Sequence, residues 1–241
     1  MSGHSKWANI KRKKEAADFK KANVFSKLGK EITVAVKMGG SGDPNTNSKL
    51  KDVISKAKAQ NMPNDNINRC IQKAIGDSNA DSYEEIVYEG FGPCGVSVIV
   101  EALTDNKNRA AADVRCIFSK SGGNLGQSGS VGYMFNKKGY ILIEKSENFD
   151  EDSFMLDALD HGAEDINSEE EYVEIFCNPS DFSSLLEFVQ GLGVTILESD
   201  IRQIATIKKE LNDEEEEKFQ RFLDKLDDCD DVQNVWHNAD I

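Results

Sequence analysis

The spacing of hydrophobic residues divides the chain into two kinds of pattern. From 23 to 38 apolar side chains recur every three or four positions, and Gly39-Gly40 ends the run, so a helix is predicted there. Asn47 is predicted to cap a second helix, and Asn64 to cap a third that closes at Gly76. The first third of the chain is therefore predicted to form a small helical domain.

Beyond residue 80 apolar positions alternate over short runs, as is typical of strands, and further helical patterns separate these runs. The predicted strands are 85–89, 95–102, 130–135, 139–144, 172–177, 194–197, 201–207 and 232–236. The predicted helices are 108–120, 150–161, one that starts at Asn178-Pro179, and one that is capped by Asp213 and reaches Leu226.

This order of short elements predicts an α+β multidomain fold, with an N-terminal three-helix domain followed by two ferredoxin-like α/β sandwich domains. The predicted domains are 1–78, a basic arm and helical domain; 79–133 together with 206–241, a middle α+β domain; and 134–205, an inserted α+β domain.

The net charge of −14 conceals a strong asymmetry along the chain. Residues 1–80 carry a net charge of +9, whereas residues 81–241 carry −23. An acidic protein needs no basic segment for its solubility. We therefore interpret residues 1–80, the basic head, as a surface for the phosphates of a nucleic acid. A solvated basic face is the alternative interpretation.

Within the basic head, Trp7 lies among cations, and such a ring can stack on a base while the cations hold phosphates. Docking of Trp7 on the helical domain is the other interpretation of that residue. Arg69 and Lys73 lie one turn apart on the predicted third helix. The predicted nucleic-acid-binding residues are His4, Lys6, Trp7, Lys11, Arg12, Lys13, Lys14, Lys20, Lys21, Lys27, Arg69 and Lys73.

Other chemistries find little support in the sequence. The segment 90–95 matches G-x-G-x-x-G, but a strand pattern follows it, so a hairpin connection is predicted in place of a dinucleotide site. The glycine-rich segment 122–130 contains no Lys or Arg, and a turn is favoured over a phosphate contact. The five cysteines and three histidines are scattered, so neither a metal site nor a disulfide framework is predicted. We expect no cofactor and no enzymatic activity.

Several segments, in order along almost the whole chain, resemble the YebC/PmpR family of bacterial regulators, which has mitochondrial relatives. They are Gly3-His4-Ser5-Lys6-Trp7, Gly39-Gly40 with Asp43-Pro44, Asn61-Met62-Pro63-Asn64-Asp65-Asn66-Ile67, Glu89-Gly90-Phe91-Gly92-Pro93, Leu103-Thr104-Asp105-Asn106-Lys107-Asn108-Arg109, Phe118-Ser119-Lys120-Ser121-Gly122-Gly123-Asn124-Leu125-Gly126 and Asp230-Asp231-Val232-Gln233-Asn234-Val235. The chain departs from the family at Lys21-Ala22, where Arg-Gly is usual, and at Cys94, where glycine is common.

The resemblance implies a helical domain and two ferredoxin-like domains, no catalytic activity, and nucleic-acid binding. Members of the family are described both as DNA-binding transcriptional regulators and as factors that act on translating ribosomes. We therefore expect a DNA-binding transcriptional regulator, with a ribosome-associated translation factor that contacts ribosomal RNA through the same basic head as the alternative.

Further expectations concern partners and location. The acidic domains are candidates for docking a basic protein, and a protein-only adaptor is a third, weaker interpretation of the chain. Even if Thr33 is counted, the longest apolar stretch, 32–36, is far shorter than a membrane span. The first 14 residues hold five cations and no apolar segment, so no secretory signal is predicted and a cytoplasmic location is expected.

Overall fold

The computed structural model describes residues 21–76, 83–146 and 149–241. These residues fall into two compact units. The inserted unit is Met134–Thr206, and the larger unit comprises 21–76, 83–133 and 207–241.

Seven α-helices and eight strands are defined within the described residues. The helices are α1 (Lys21–Gly39), α2 (Ser48–Ala59), α3 (Asn64–Gly76), α4 (Lys107–Lys120), α5 (Glu151–Asp160), α6 (Phe182–Gly191) and α7 (Asp213–Asp227). The strands are β1 (Glu84–Phe91), β2 (Ser97–Thr104), β3 (Asn124–Leu125), β4 (Phe135–Glu144), β5 (Ala163–Ser168), β6 (Tyr172–Cys177), β7 (Ile196–Ala205) and β8 (Val232–His237). The predicted α+β multidomain class is confirmed, whereas the domain boundaries at 78, 133 and 205 stay predictions.

In the larger unit, α1, α2 and α3 share one apolar core. Its centre is formed by Ile32 and Leu50, which are fully buried. Asn47 caps α2 as predicted, because its side-chain oxygen accepts the N–H of Leu50 at 3.1 Å. The amide of Asn47 also donates to the carbonyl of Ala35 at 2.8 Å, so this buried side chain ties the α1–α2 loop to α1.

The turn between α2 and α3 uses the motif that begins at Asn61. Asn61 has a φ of +59°, in the left-handed region that asparagine tolerates better than most residues. Met62 is buried in the helical core. The carbonyl of Pro63 accepts the N–H of Ile67 at 3.1 Å, so Pro63 occupies the capping position. The prediction that Asn64 caps this helix is wrong, since Asn64 is already its first residue.

The larger unit also contains an antiparallel sheet of order β3-β1-β2-β8. Helices α4 and α7 pack against the buried side chains of this sheet. Phe118 of α4 and Phe222 of α7 meet edge to face, with ring centroids 4.9 Å apart. The C-terminal helix and strand therefore complete a core that begins with β1 and β2.

The G-x-G-x-x-G segment connects β1 and β2, which pair antiparallel along their whole length. The predicted hairpin is thus confirmed, and no helix opens at the end of the segment as a dinucleotide site requires. Cys94 lies within this connection at a φ of +60°, and Gly95 follows at +72°. Two successive left-handed residues explain why glycine suits position 94.

The inserted unit has the chain order β4-α5-β5-β6-α6-β7 and an antiparallel sheet of order β5-β6-β4-β7. This βαββαβ arrangement is ferredoxin-like. Ile141, Val173 and Ile175 of the sheet pack against Phe154 and Leu185 of the two helices. In the larger unit the chain order differs, because the β1–β2 hairpin precedes α4.

The strand predictions need correction in both units. The strand predicted at 130–135 is wrong: Gly132–Met134 form a short 3₁₀ helix, and only Phe135 is in a strand, as the first residue of β4, which also covers the predicted strand 139–144. The predicted strands 194–197 and 201–207 are joined in one strand, β7. The sequence pattern predicts neither β5 (Ala163–Ser168) nor β3 (Asn124–Leu125), which lies in the segment 122–130 predicted as a turn. Pairing accounts for β4 and β5: β7 bonds to β4 from Phe135 to Ile143, which carries β4 through its polar positions, and β6 holds β5 as an edge strand.

Two helix starts also differ from the predictions. Asn212 caps α7 and forms a capping box with Glu215, so Asp213, the predicted cap, is the first helical residue. The helix predicted from Asn178-Pro179 begins at Phe182. In both cases the local signal identified the helix and misplaced its first residue by one to four positions.

Candidate nucleic-acid interface

Most of the predicted nucleic-acid-binding residues lie outside the described part of the chain. These are His4, Lys6, Trp7, Lys11, Arg12, Lys13, Lys14 and Lys20. Lys21 is the first residue of α1, and the structure does not describe its side chain. Lys27, Arg69 and Lys73 are described completely, and their surroundings differ.

Two cations of α1, Lys27 and Lys30, reach the end of α7 and the segment that joins it to β8. The ammonium of Lys27 donates to the carbonyl of Asp227 at 3.0 Å. The ammonium of Lys30 donates to the carbonyl of Asp230 at 2.7 Å and lies 3.3 Å from a carboxylate oxygen of Asp231. A phosphate at Lys27 would compete with this internal acceptor, so the predicted contact through Lys27 stays a prediction.

Arg69 and Lys73 are exposed side chains on α3 that make no ion pair with any described residue. Cys70 lies between them in the sequence and faces the helical core. Burial raises the pKa of the Cys70 thiol, and the charges of Lys73 and Arg69 partly oppose that rise. The two cations therefore sit at the rim of the core with their charges free for an external anion.

Two other cations of the helical region, residues 21–76, are paired with carboxylates. Lys56 bonds to Glu31 at 3.1 Å, and Lys49 bonds to Glu85 at 3.1 Å. Lys58 of α2, in contrast, is exposed and has no ion-pair partner in the described ranges. The sequence pattern does not single out Lys58, because nothing in it distinguishes a paired lysine from an unpaired one.

Helices α2 and α3 and the loop before α2 border an open groove of about 440 Å³. Its floor and walls include Pro44, Ile54 and Ile71, and Lys58 stands at its α2 side. Its α3 side is lined by three amide side chains, those of Asn64, Asn68 and Gln72. This groove combines apolar walls, uncharged hydrogen-bonding groups and a cation.

Residues of the family motifs form an ion-pair cluster in the larger unit. Asp231 is almost fully buried and accepts hydrogen bonds from Arg109 at 2.9 and 3.1 Å. Arg109 also bonds to Asp105 at 2.6 Å, and this contact helps hold the pKa of Asp105 below its usual value. Together with Lys30, the cluster connects α1, the start of α4 and the start of β8.

The glycine-rich segment after α4 surrounds a carboxylate of the protein itself. Glu89 accepts hydrogen bonds from the N–H groups of Gly129, Val131 and Gly132 at 2.8, 2.9 and 2.6 Å. Burial alone would raise the pKa of Glu89, and the three N–H donors more than offset it, so the pKa is lowered. These three N–H groups are therefore occupied and do not form an open phosphate site.

The inserted unit is acidic, with 17 Asp and Glu against 4 Lys and Arg in residues 134–206. On the sheet face opposite its helices, the hydroxyl of Tyr140 donates to Glu174 at 2.7 Å, and the guanidinium of Arg202 lies 4.2 Å from the centre of the Tyr140 ring. Burial, with the charge of Glu174, raises the pKa of Tyr140. One of the unit's few cations is thus used internally.

The described residues contain neither a membrane-spanning helix nor a metal site. No helix there is both long and apolar enough to cross a membrane. No group of three or more His, Cys, Asp or Glu side chains in the same residues is arranged to hold a metal ion.

The fold and the distribution of charge define a multidomain α+β protein with a basic helical region at its N-terminal end. Residues 5–77 match the family model described as the TACO1/YebC protein N-terminal domain, and residues 83–239 match the TACO1/YebC second and third domain. The chain belongs to the TACO1/YebC family, as the sequence motifs predict.

Relatives of high similarity cover the whole chain. A probable transcriptional regulatory protein of Acetivibrio thermocellus is 53% identical over 239 residues, which cover 99% of this chain and 98% of the relative. One of Ruminiclostridium cellulolyticum, with the same description, is 54% identical and covers 99% and 96%. The crystal structure of a conserved hypothetical protein from Aquifex aeolicus is similar with a TM-score of 0.80 at 38% identity, covering 92% of this chain and 91% of that one.

Proposed function

We propose that this protein is a non-enzymatic, cytoplasmic transcriptional regulator that binds DNA through its basic N-terminal residues and its helical region. Its relatives are named as probable transcriptional regulatory proteins, which supports this class of function. The contacts with DNA involve Lys6, Lys11, Arg12, Lys13, Lys14, Lys20 and Lys21, with Arg69 and Lys73 from α3.

The observation that carries this proposal is the difference between paired and unpaired cations in the helical region. Residues 21–76 hold ten Lys and Arg against four Asp and Glu. Lys58, Arg69 and Lys73 are exposed and have no carboxylate partner in the described structure. Such cations gain free energy when they neutralise phosphates and release the counterions of a nucleic acid.

The acidic inserted unit supports a second contact of different chemistry. A surface with a large excess of carboxylates is repelled by DNA, so it stays away from the phosphates and is suited to a basic protein partner. In this arrangement the helical region binds DNA while the inserted unit recruits or senses the protein.

The proposal is tested by measuring the affinity for duplex DNA between about 50 and 200 mM salt, where neutralisation of ~6 phosphates predicts a loss of about a thousandfold. Replacing Lys11, Arg12, Lys13 and Lys14 together by Ala should remove most of the affinity and flatten the salt dependence. The matched control removes exposed lysines elsewhere, Lys120→Ala with Lys137→Ala. Binding that is independent of salt, or unchanged in the arm variant, would contradict the proposal.

A competition experiment separates DNA from ribosomal RNA, since the salt dependence reports phosphate contacts, which position a nucleic acid without specifying it. Ribosomal RNA is added as a competitor to the complex with duplex DNA. We expect DNA to be retained at equal phosphate concentration. Displacement at a tenth of that concentration would favour the translation factor as the function of the same basic head.

A further inference from the structure

The groove between α2 and α3 has features of a binding site that the phosphate contacts do not explain. Asn64, Asn68 and Gln72 are spaced four residues apart, so their amides follow one side of α3 along the groove. None of the three amides hydrogen-bonds to another side chain among the described residues. An amide row beside an apolar wall is well suited to a flat ligand that has both donors and acceptors on its edge.

The apolar part of the groove supplies two sides for such a ligand. Ile54 of α2 and Ile71 of α3 line it, with Pro44 from the loop before α2. The loop packs tightly against α3 at Gly42, where an added Cβ would come within 3.1 Å of an Ile71 methyl group. The wall is thus formed by fixed elements, and about 440 Å³ lies within the range of small-ligand sites, ~300–1,000 Å³.

Unpaired cations lie on both sides of the amide row. Lys58 lines the groove from α2, and Arg69 and Lys73 occupy the neighbouring exposed face of α3. A ligand in the groove would therefore have its uncharged part between isoleucines and its anionic parts next to Lys58 on one side and Arg69 on the other. A nucleotide within a strand has these parts, because its flat polar base lies between two phosphates.

We propose that the α2–α3 groove takes one unpaired base of a DNA strand, whose edge is read by Asn68 and Gln72 while Lys58, Arg69 and Lys73 hold the flanking phosphates. A base within a duplex presents its edge at the bottom of a groove, where a concave protein surface cannot reach it, whereas an unstacked base can enter and pack between apolar side chains. The inference rests on the proposed DNA binding and adds that the bound strand is locally unpaired.

The test uses a single DNA strand of about 12 nucleotides that is abasic except for one central base, compared with a fully abasic strand of equal length. Both strands carry the same phosphates, so their affinities differ only through the base. We expect the wild-type protein to bind the strand with a central adenine about tenfold more tightly than the abasic strand. The variant with Asn68→Leu and Gln72→Leu should reduce that ratio to less than about twofold.

Two control variants separate base recognition from charge. Arg69→Ala with Lys73→Ala should weaken the binding of both strands alike and leave their ratio unchanged. Gln190→Leu, an exposed amide at the end of α6, should change neither affinity. Thermal unfolding of each variant confirms that the exposed substitutions leave the fold intact.

Each outcome decides between the two proposals. If the wild-type protein binds neither strand nor duplex DNA, the proposed function and this inference both fail. If it binds the two strands equally, or if the Asn68 and Gln72 variant keeps the tenfold ratio, the groove assignment alone is wrong. If ribose strands of the same design bind ten times more tightly than deoxyribose strands, RNA replaces DNA as the occupant and the assignment is overturned.

Discussion

Arg109 and Asp231 form a bidentate ion pair that connects distant parts of the sequence. The Nε atom of Arg109 lies 3.1 Å from Oδ2 of Asp231, and its Nη2 atom lies 3.1 Å from Oδ1 and 2.9 Å from Oδ2. The Asp231 side chain is almost fully buried, and Lys30 of α1 approaches it at 3.3 Å. Two of the family motifs thus meet at a single carboxylate that also receives a cation of the helical region.

Replacing Asp231 by Ala should lower the free energy of unfolding by about 2–4 kcal/mol, because hydrogen bonds between charged groups are lost inside the protein. Chemical denaturation monitored by circular dichroism measures this change. The matched control is Glu217→Ala, which removes an exposed ion pair with Arg221 on α7 and should cost at most about 0.5 kcal/mol. Equal effects of the two substitutions would show that the buried pair contributes no more than the exposed one.

The Glu89 carboxylate should make stability depend on pH. Its pKa is lowered in the folded protein, so the stability that it contributes is fully present above the ordinary value of 4.5 and is lost as the pH falls through the folded pKa. At pH 7, Glu89→Gln should lower the free energy of unfolding by about 2 kcal/mol, since the amide replaces a charged acceptor of three N–H groups.

The pH dependence distinguishes this effect from a general loss of packing. The difference in stability between the wild-type protein and Glu89→Gln should be constant from about pH 6 to 8 and shrink below about pH 4.5. Glu210→Gln, an exposed carboxylate of the larger unit, serves as the control and should show neither effect. A difference that stays constant down to acidic pH would contradict the electrostatic account.

Cys94 adopts a left-handed backbone conformation that suits glycine. Replacing Cys94 by Gly should leave stability unchanged or raise it by up to about 1 kcal/mol, because relief of strain is partly offset by the greater freedom of the unfolded chain. Cys94→Val should destabilise by about 1–2 kcal/mol, since a branched side chain fits this region poorly. These values follow from denaturant titrations of both variants.

A substitution in a regular helix provides the comparison for Cys94. Cys116 is exposed on α4, where Cys116→Gly should destabilise by about 0.5 kcal/mol. Glycine would therefore have opposite or clearly different effects at the two cysteines. A loss of stability at Cys94 as large as at Cys116 would mean that the left-handed conformation carries no strain.

Lys27 and Lys73 should contribute differently to nucleic-acid binding. Lys27 donates to the carbonyl of Asp227 within the protein, whereas Lys73 has no ion-pair partner in the described structure. Lys73→Met should reduce the slope of log affinity against log salt by about 1, and Lys27→Met should change it by less than about 0.3. Fluorescence anisotropy with labelled duplex DNA at several salt concentrations measures both slopes. A larger effect at Lys27 would show that its internal contact opens on binding.

Local sequence signals are sufficient to predict a feature when the side chain that causes it bonds to residues close to it in the sequence. Asn47 was identified as a cap because an asparagine before an apolar helical repeat bonds to the N–H of a residue three positions later. At α7 the acidic first turn identified the helix, but the capping box of Asn212 and Glu215 shifted its start. Element type was therefore predicted more reliably than element ends.

At the candidate site, local sequence signals do not predict which cations are paired within the protein. Arg69 and Lys73 were predicted from their one-turn spacing, and the structure adds that they lack internal partners. The sequence pattern does not single out Lys58, and it predicts a contact through Lys27, whose ammonium bonds to a carbonyl 200 residues away. Whether a cation is free depends on which carboxylates and carbonyls the fold brings near it. The local sequence pattern does not indicate that pairing.

By itself the sequence determined the helical and strand elements with strong periodicity, the basic N-terminal and acidic C-terminal parts, and the family. Those features follow from residue types and short spacings, which a linear chain displays directly. The tertiary structure alone decided the continuity of β4 and β7, the presence of β5, the capture of Lys30 by Asp231, and the groove between α2 and α3. The continuity of β4 and β7 and the pairing of Lys30 with Asp231 depend on segments far apart in the chain, and β5 and the groove depend on packing between neighbouring elements. In both cases hydrogen bonding and packing with another element outweigh local preference.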